Sequence, residues 1–146
     1  MIGAEILKPL AVLAGWTMVM WIWMYATRIP AMNKAKIDTK NLVGGSGKDL
    51  DAVIDPKVQW IAHNYNHLHE APTVFYAVAL ALAMIGQGDG LNAQLGWAYV
   101  VLRVLHSLVQ ATSNRVMVRF ALFALSSLAL MALTVHLLLA AFHTPA

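Results

Sequence analysis

No cysteine occurs among the 146 residues of this chain. That excludes a disulfide framework, a thiolate metal centre and a cysteine nucleophile. Charge is scarce too: Asp, Glu, Lys and Arg make up 12% of the residues, roughly half the usual share in a soluble domain. The net charge is +3, and most cations fall in one loop, so no extended basic surface for nucleic acid is expected.

Hydrophobic residues stand where charge is missing. They form 60% of the chain, with a mean hydropathy of +0.63, and they gather in long runs that read as membrane helices. One domain over residues 1–146 suits the length. A first segment at 5–27 has no charge from Leu10 to Ala26. Its Trp16, Trp21, Trp23 and Tyr25 crowd one end like an interfacial belt and read as lipid-facing or core bulk. Lys8 is the lone cation ahead of the run, and no small-residue cleavage site follows, so the segment reads as a retained helix rather than a signal peptide.

A loop at 28–55 follows. Residues 28–57 hold six of the ten Lys and Arg residues and four aspartates. Its GGSGKD stretch fails as a phosphate loop, because Leu42 and Asp49 occupy positions that need glycine and Ser or Thr. The next segment, 56–85, opens with Asp55 as N-cap and Pro56 in the first turn. Pro72 within it should bend the helix by freeing the Leu68 carbonyl. A GQGDG turn at 86–90 leads to segments at 91–114 and 116–142, then a short HTPA tail. The expected fold is an all-α integral membrane protein, a four-transmembrane-helix antiparallel bundle. The cation-rich loop and the turn at Arg115 and Arg119 belong in the cytoplasm, which puts both termini on the other side, most simply in a bacterial inner membrane.

Two of these apolar segments carry polar stripes. At helical spacing, His63, His67 and Glu70 share one face of the second, with Asn66 beside them. Arg103, His106, Gln110 and Asn114 share one face of the third. Counting inward from Trp60 and Arg115, Glu70 lies ten residues deep and Arg103 twelve, or about 15 and 18 Å. The two are therefore expected to pair, because an unpaired charge near the mid-plane costs about 2.5–3.5 kcal/mol or more. By the same count His106 should sit level with His67, and Gln110 with His63 or Asn64. With Arg28, Arg115 and Arg119 at the rim, the stripes describe a crevice for an anionic guest. The plainer reading is a polar lock between two helices. A metal site of His63, His67, Glu70 and His106 has usable spacing, but Arg103 would compete for the carboxylate and repel the cation. His136 and His69 read as packing or helix-contact residues.

The stretches NYNHLHEAPTVFYA and LRVLHSLVQATSNRVMVRF resemble the MAPEG family, membrane-associated proteins in eicosanoid and glutathione metabolism, of the bacterial type. The resemblance rests on a glutamate shortly before a proline, then Arg-x-x-His and a distal arginine. It implies a homotrimer of four-helix protomers that binds glutathione between neighbours and acts on a lipophilic electrophile or lipid peroxide drawn from the bilayer. Glu70, Arg103 and His106 fall on the family's binding positions, and Arg119 on the arginine that stabilises the glutathione thiolate. The chain departs from the pattern at His63, His67 and Gln110, where the family has arginine, asparagine and tyrosine. A non-catalytic protein of the same fold, holding a lipid or small anion, is the alternative.

Overall fold

The computed structural model describes residues 4–143; the tail beyond His143 and both chain termini lie outside them. The helices are α1 (Leu7–Lys34), α2 (Pro56–His67), α3 (Ala71–Met84), α4 (Leu91–Thr112) and α5 (Val116–His143), with a short 3-10 helix at Gly47–Ala52. No strand occurs among the described residues. α1 and α5 are each long and apolar enough to cross a membrane. At 28 residues apiece, each extends about 42 Å.

Two boundaries differ from expectation. α1 does not stop at residue 27 but carries through Pro30 to Lys34. A proline removes one helical hydrogen bond and crowds the carbonyl four residues back. Here the turn before it is reinforced by the Thr27 hydroxyl, which donates to the carbonyls of Trp23 and Met24. The helix ends where Lys36 takes a left-handed φ of 55°. The second difference matters more: the expected helix over 56–85 is two helices. α2 ends at His67, and α3 begins at Ala71 with Pro72 in its first turn, where a missing N–H is not needed. Pro72 thus starts a helix rather than bending one. The Asp55 cap stands as expected, its carboxylate accepting from the Lys57 N–H at 2.8 Å.

The buried stripe of α1 repeats every seven residues, with Ile6, Leu13 and Met20 all fully buried. α2 packs on α1 and α4; α3 packs on α1 and α5; α4 lies along α5. At the centre, the fully buried Ser107 hydroxyl accepts from Trp16 Nε1 of α1 at 2.9 Å and from the Asn64 amide of α2. Of the two readings given to it, Trp16 takes the core one: it packs against the buried cluster and anchors α1 to α4. Phe75 of α3 stacks on Tyr99 of α4 with ring centroids 4.6 Å apart. His136 packs between helices, its Nδ1 2.6 Å from Asn92 Oδ1. His69 instead stays local, exposed, with its ring against Tyr65 of the same segment.

At one end the start of α1 is tied to the 86–90 turn by the Ile6 N–H to Gly88 carbonyl bond of 2.9 Å and the Glu5 N–H to Asp89 bond of 2.8 Å. At the other, the GGSGKD stretch becomes a helix start. Ser46 and Asp49 form a reciprocal capping box there, which uses the polar groups a phosphate loop would leave free.

Candidate functional site

The interruption at residues 68–70 opens a crevice between α2, α4 and α5. Its volume is about 300 Å³, and it is lined by His67, Glu70, Ala71, Arg103, His106, Val116, Arg119, Phe120 and Phe123. One wall is polar and comes from the stripes of α2 and α4. The other is the side of α5 where Val116, Arg119, Phe120 and Phe123 recur at helical spacing.

Arg103 is 3% exposed, and its Nη2 donates to the His67 carbonyl at 3.3 Å. That carbonyl lies in the last turn of α2, where it also accepts the Glu70 N–H at 3.2 Å and where the helix dipole favours a cation. The anticipated Glu70–Arg103 pair is not closed. Among the described residues, the ion pairs within 4.0 Å are Lys8–Glu5 and His63–Asp51. Glu70 is exposed and holds the break through its carbonyl, which accepts from the Thr73 N–H at 3.0 Å and the Thr73 hydroxyl at 2.6 Å. The helix end has taken the guanidinium that the carboxylate was expected to take. Both side chains nevertheless face the same crevice.

Three buried nitrogens on residues that line this crevice have no hydrogen-bond partner among the described residues: Arg103 Nε, His106 Nδ1 and Arg119 Nε. Buried donors are paired in the great majority of proteins, and one left unpaired costs about 1–3 kcal/mol. Three on the residues of one cavity, two of them guanidinium donors, suit a guest carrying negative charge. Arg119 is held by Asn114, whose Oδ1 accepts from its Nη1 at 2.6 Å. Gln110 does not line the crevice but supports it. It is 2% exposed, and its Oε1 lies 3.0 Å from His67 Nδ1. The register of α2 on α4 is thus about a turn away from the depth count, which set Gln110 against His63 or Asn64.

Arg28, His63, Asn66 and Arg115 stand outside the crevice. Asn66 and Arg115 are exposed. Arg28 and His63 belong to a second polar cluster that fastens the first loop to the base of α2. Arg28 Nη2 donates to Gln59 Oε1 at 3.0 Å, and Gln59 Nε2 donates to the Gly47 carbonyl at 3.0 Å and to Asp51. His63 Nε2 lies 3.0 Å from the same Asp51 oxygen. The Gln59 amide foremost, then His63 and the Arg28 charge, hold the Asp51 carboxyl below the usual range for a carboxylate. With His63 turned to the loop, the metal set of His63, His67, Glu70 and His106 does not converge. No group of three or more His, Asp or Glu able to hold a metal ion occurs among the described residues.

Reading the stripes alone misses the apolar wall at Val116, Phe120 and Phe123, as well as the loop cluster. The wall has a signal, three apolar residues on the helical face that carries Arg119. The loop cluster has none, because Gln59 and Asp51 become partners only once the loop folds back. A second hollow of about 480 Å³, near Asp89, Asn92, His136 and His143 at the other end, has no unpaired buried polar side-chain atom of its own among the described residues.

The sequence profile of the MAPEG family matches residues 6–139, which spans every element that lines the crevice. No curated protein matches the chain, and no solved structure does.

Proposed function

The chain belongs to the MAPEG family, and on that premise we propose that it is a membrane-embedded, glutathione-dependent transferase or peroxidase acting on lipophilic electrophiles or lipid peroxides. The observation that carries this reading is the set of unpaired nitrogens on Arg103, His106 and Arg119 in one crevice. Glutathione offers carboxylates, an ammonium and a thiol. Arg103 and His106 would hold a carboxylate, Glu70 the ammonium, and Arg119 the sulfur. When bound, glutathione supplies a thiol that, once ionised, adds to an electrophilic carbon or reduces a peroxide. The work of the chain is electrostatic: a guanidinium in a partly dry site favours the thiolate. Val116, Phe120 and Phe123, exposed along the crevice, would offer an apolar seat for the second substrate.

In this reading α1, the α2–α3 pair, α4 and α5 form four spans. α2 has 12 residues and α3 has 14, about 18 and 21 Å. Each is too short alone for a bilayer core of about 30 Å, and together they suffice. The cation-bearing loop and the α4–α5 turn face the cytoplasm of a bacterial inner membrane, with both termini outside. Three copies assemble through the apolar outer faces, and lipid covers the rest.

The test is titration calorimetry with glutathione on detergent-solubilised protein, beside conjugation of a standard aryl halide. Wild type is expected to bind saturably and to conjugate. Arg119→Gln is expected to bind and to lose conjugation by roughly 100-fold or more, the scale of removing one charge-stabilising group. Absence of saturable heat at millimolar glutathione, or full activity in Arg119→Gln, overturns the proposal. The engagement of Arg28 and His63 by the loop favours the second reading, a non-catalytic holder of an acidic lipid or small anion. That reading predicts an acidic lipid co-purifying with the protein and no conjugation.

A further inference from the structure

Arg119 leaves the first turns of α5 on a long, flexible side chain. A guanidinium that serves a reacting atom must be held in one orientation, since small misplacements are costly to rate. Among the described residues, Arg119 Nη1 donates to Asn114 Oδ1 at 2.6 Å, while the buried Nε has no partner; the side chain lines the crevice. Asn114 is itself firmly set. Its backbone sits in the left-handed region at φ 49°, and its N–H donates to the Val109 carbonyl at 2.7 Å. These two features end α4 and turn the chain into α5.

Asparagine is one of the few side-chain-bearing residues that adopt this backbone at low cost. A glycine would make the turn as well or better, so turning the chain does not by itself call for asparagine. What asparagine adds is a neutral acceptor that fixes the guanidinium without cancelling its charge. An aspartate in the same place would hold Arg119 equally well, but as an ion pair, and would offset the positive potential in the crevice.

We propose that Asn114 is the positioning residue of the site, a neutral clamp that aims Arg119 into the crevice with its charge intact. This rests on the reading that Arg119 faces the sulfur of bound glutathione.

The experiment compares wild type, Asn114→Gly and Asn114→Asp in detergent. It measures glutathione affinity, ultraviolet absorbance of bound thiolate, and the pH profile of conjugation. Both variants suit the left-handed backbone, so one remains informative should the other fail to fold. Asn114→Gly is expected to keep glutathione affinity within about 3-fold and to lose the thiolate signal, with kcat lower by roughly 10–100-fold. Asn114→Asp is expected to keep the signal but to move the pH profile about one unit toward alkali, because the added carboxylate opposes the thiolate. Thiolate present in wild type and unchanged in Asn114→Gly, or an unshifted profile in Asn114→Asp, overturns the clamp while leaving the role of Arg119 standing. No thiolate in wild type overturns the function assigned to the site, and the clamp with it.

Discussion

Replacing Ser107 with alanine should loosen three helices at once. Its hydroxyl is fully buried and accepts from Trp16 of α1 and from Asn64 of α2. The substitution removes one oxygen and leaves two donors without a partner. In a water-soluble core an orphaned buried donor costs about 1–3 kcal/mol. Between membrane helices the measured range is lower, averaging about 0.6 and reaching about 1.7 kcal/mol per bond, because the unfolded segment also finds partners in lipid. The membrane figure governs here, and two bonds give a loss of roughly 1–3 kcal/mol. Reversible unfolding in mixed micelles would measure it. A double-mutant cycle with Trp16→Phe isolates the mechanism, since removing the indole donor in advance should recover part of the loss. The effect should reach the site as well, because Ser107 fixes the rotation of α4 that carries Arg103 and His106. A loss below about 0.5 kcal/mol, the level of an ordinary surface substitution, would refute the reasoning. So would strict additivity with Trp16→Phe.

Glu70→Gln should leave stability within about 0.5 kcal/mol of wild type, because no ion pair within 4.0 Å is broken. In calorimetry the same variant should bind glutathione more weakly, through loss of the ammonium partner, while binding a simple anion such as sulfate more tightly; a parallel change for both ligands would contradict the role given to Glu70. The loop clamp should be sensitive to acid. Asp51 is held below its ordinary value of 3.8, mainly by the Gln59 amide, so the folded chain binds fewer protons than the unfolded chain in that window. The docking contribution is therefore full above that value and fades as pH falls through the lowered one. Hydrogen exchange at Gly47–Ala52 should accelerate in the same interval, and Asn in place of Asp51 should make exchange fast at neutral pH; protection that ignores both changes would remove Asp51 from the clamp.

Some of this architecture could be read directly from the residues. The uncharged run from Leu10 to Ala26 and the apolar stretch after Val116 announce the two long helices, because hydropathy over a whole turn-by-turn stretch needs no partner to be interpreted. The Asp55–Pro56 start is similarly local. The polar stripes also mark part of the crevice, through His67, Glu70, Arg103 and His106, whereas His63, Asn66, Gln110 and Asn114 of the same stripes do not line it. The interruption before Pro72 was less accessible. A proline deep in an apolar segment is compatible with a bend or with a new helix, and neighbours decide between them. The partner of Arg103 was hidden for a related reason. Charges suggest pairing with charges, but the hydrogen-bond partner of this guanidinium is the His67 backbone carbonyl at the helix end. Arg28 and His63 were hidden by distance along the chain, since their partners Gln59 and Asp51 arrive only when the loop folds back.

The gap between α2 and α3 divides one stretch of chain between two sets of neighbours. The lower half answers to α1, α4 and the docked loop, whereas the upper half answers to α1 and α5, with the Phe75 ring stacked on Tyr99 of α4. Residues 68–70 form a hydrogen-bonded turn between them, with Glu70 at φ −96° and ψ −105°, outside helical geometry. A guest in the crevice would meet His67 on one side of that turn and Ala71 on the other, and so would touch both halves at once.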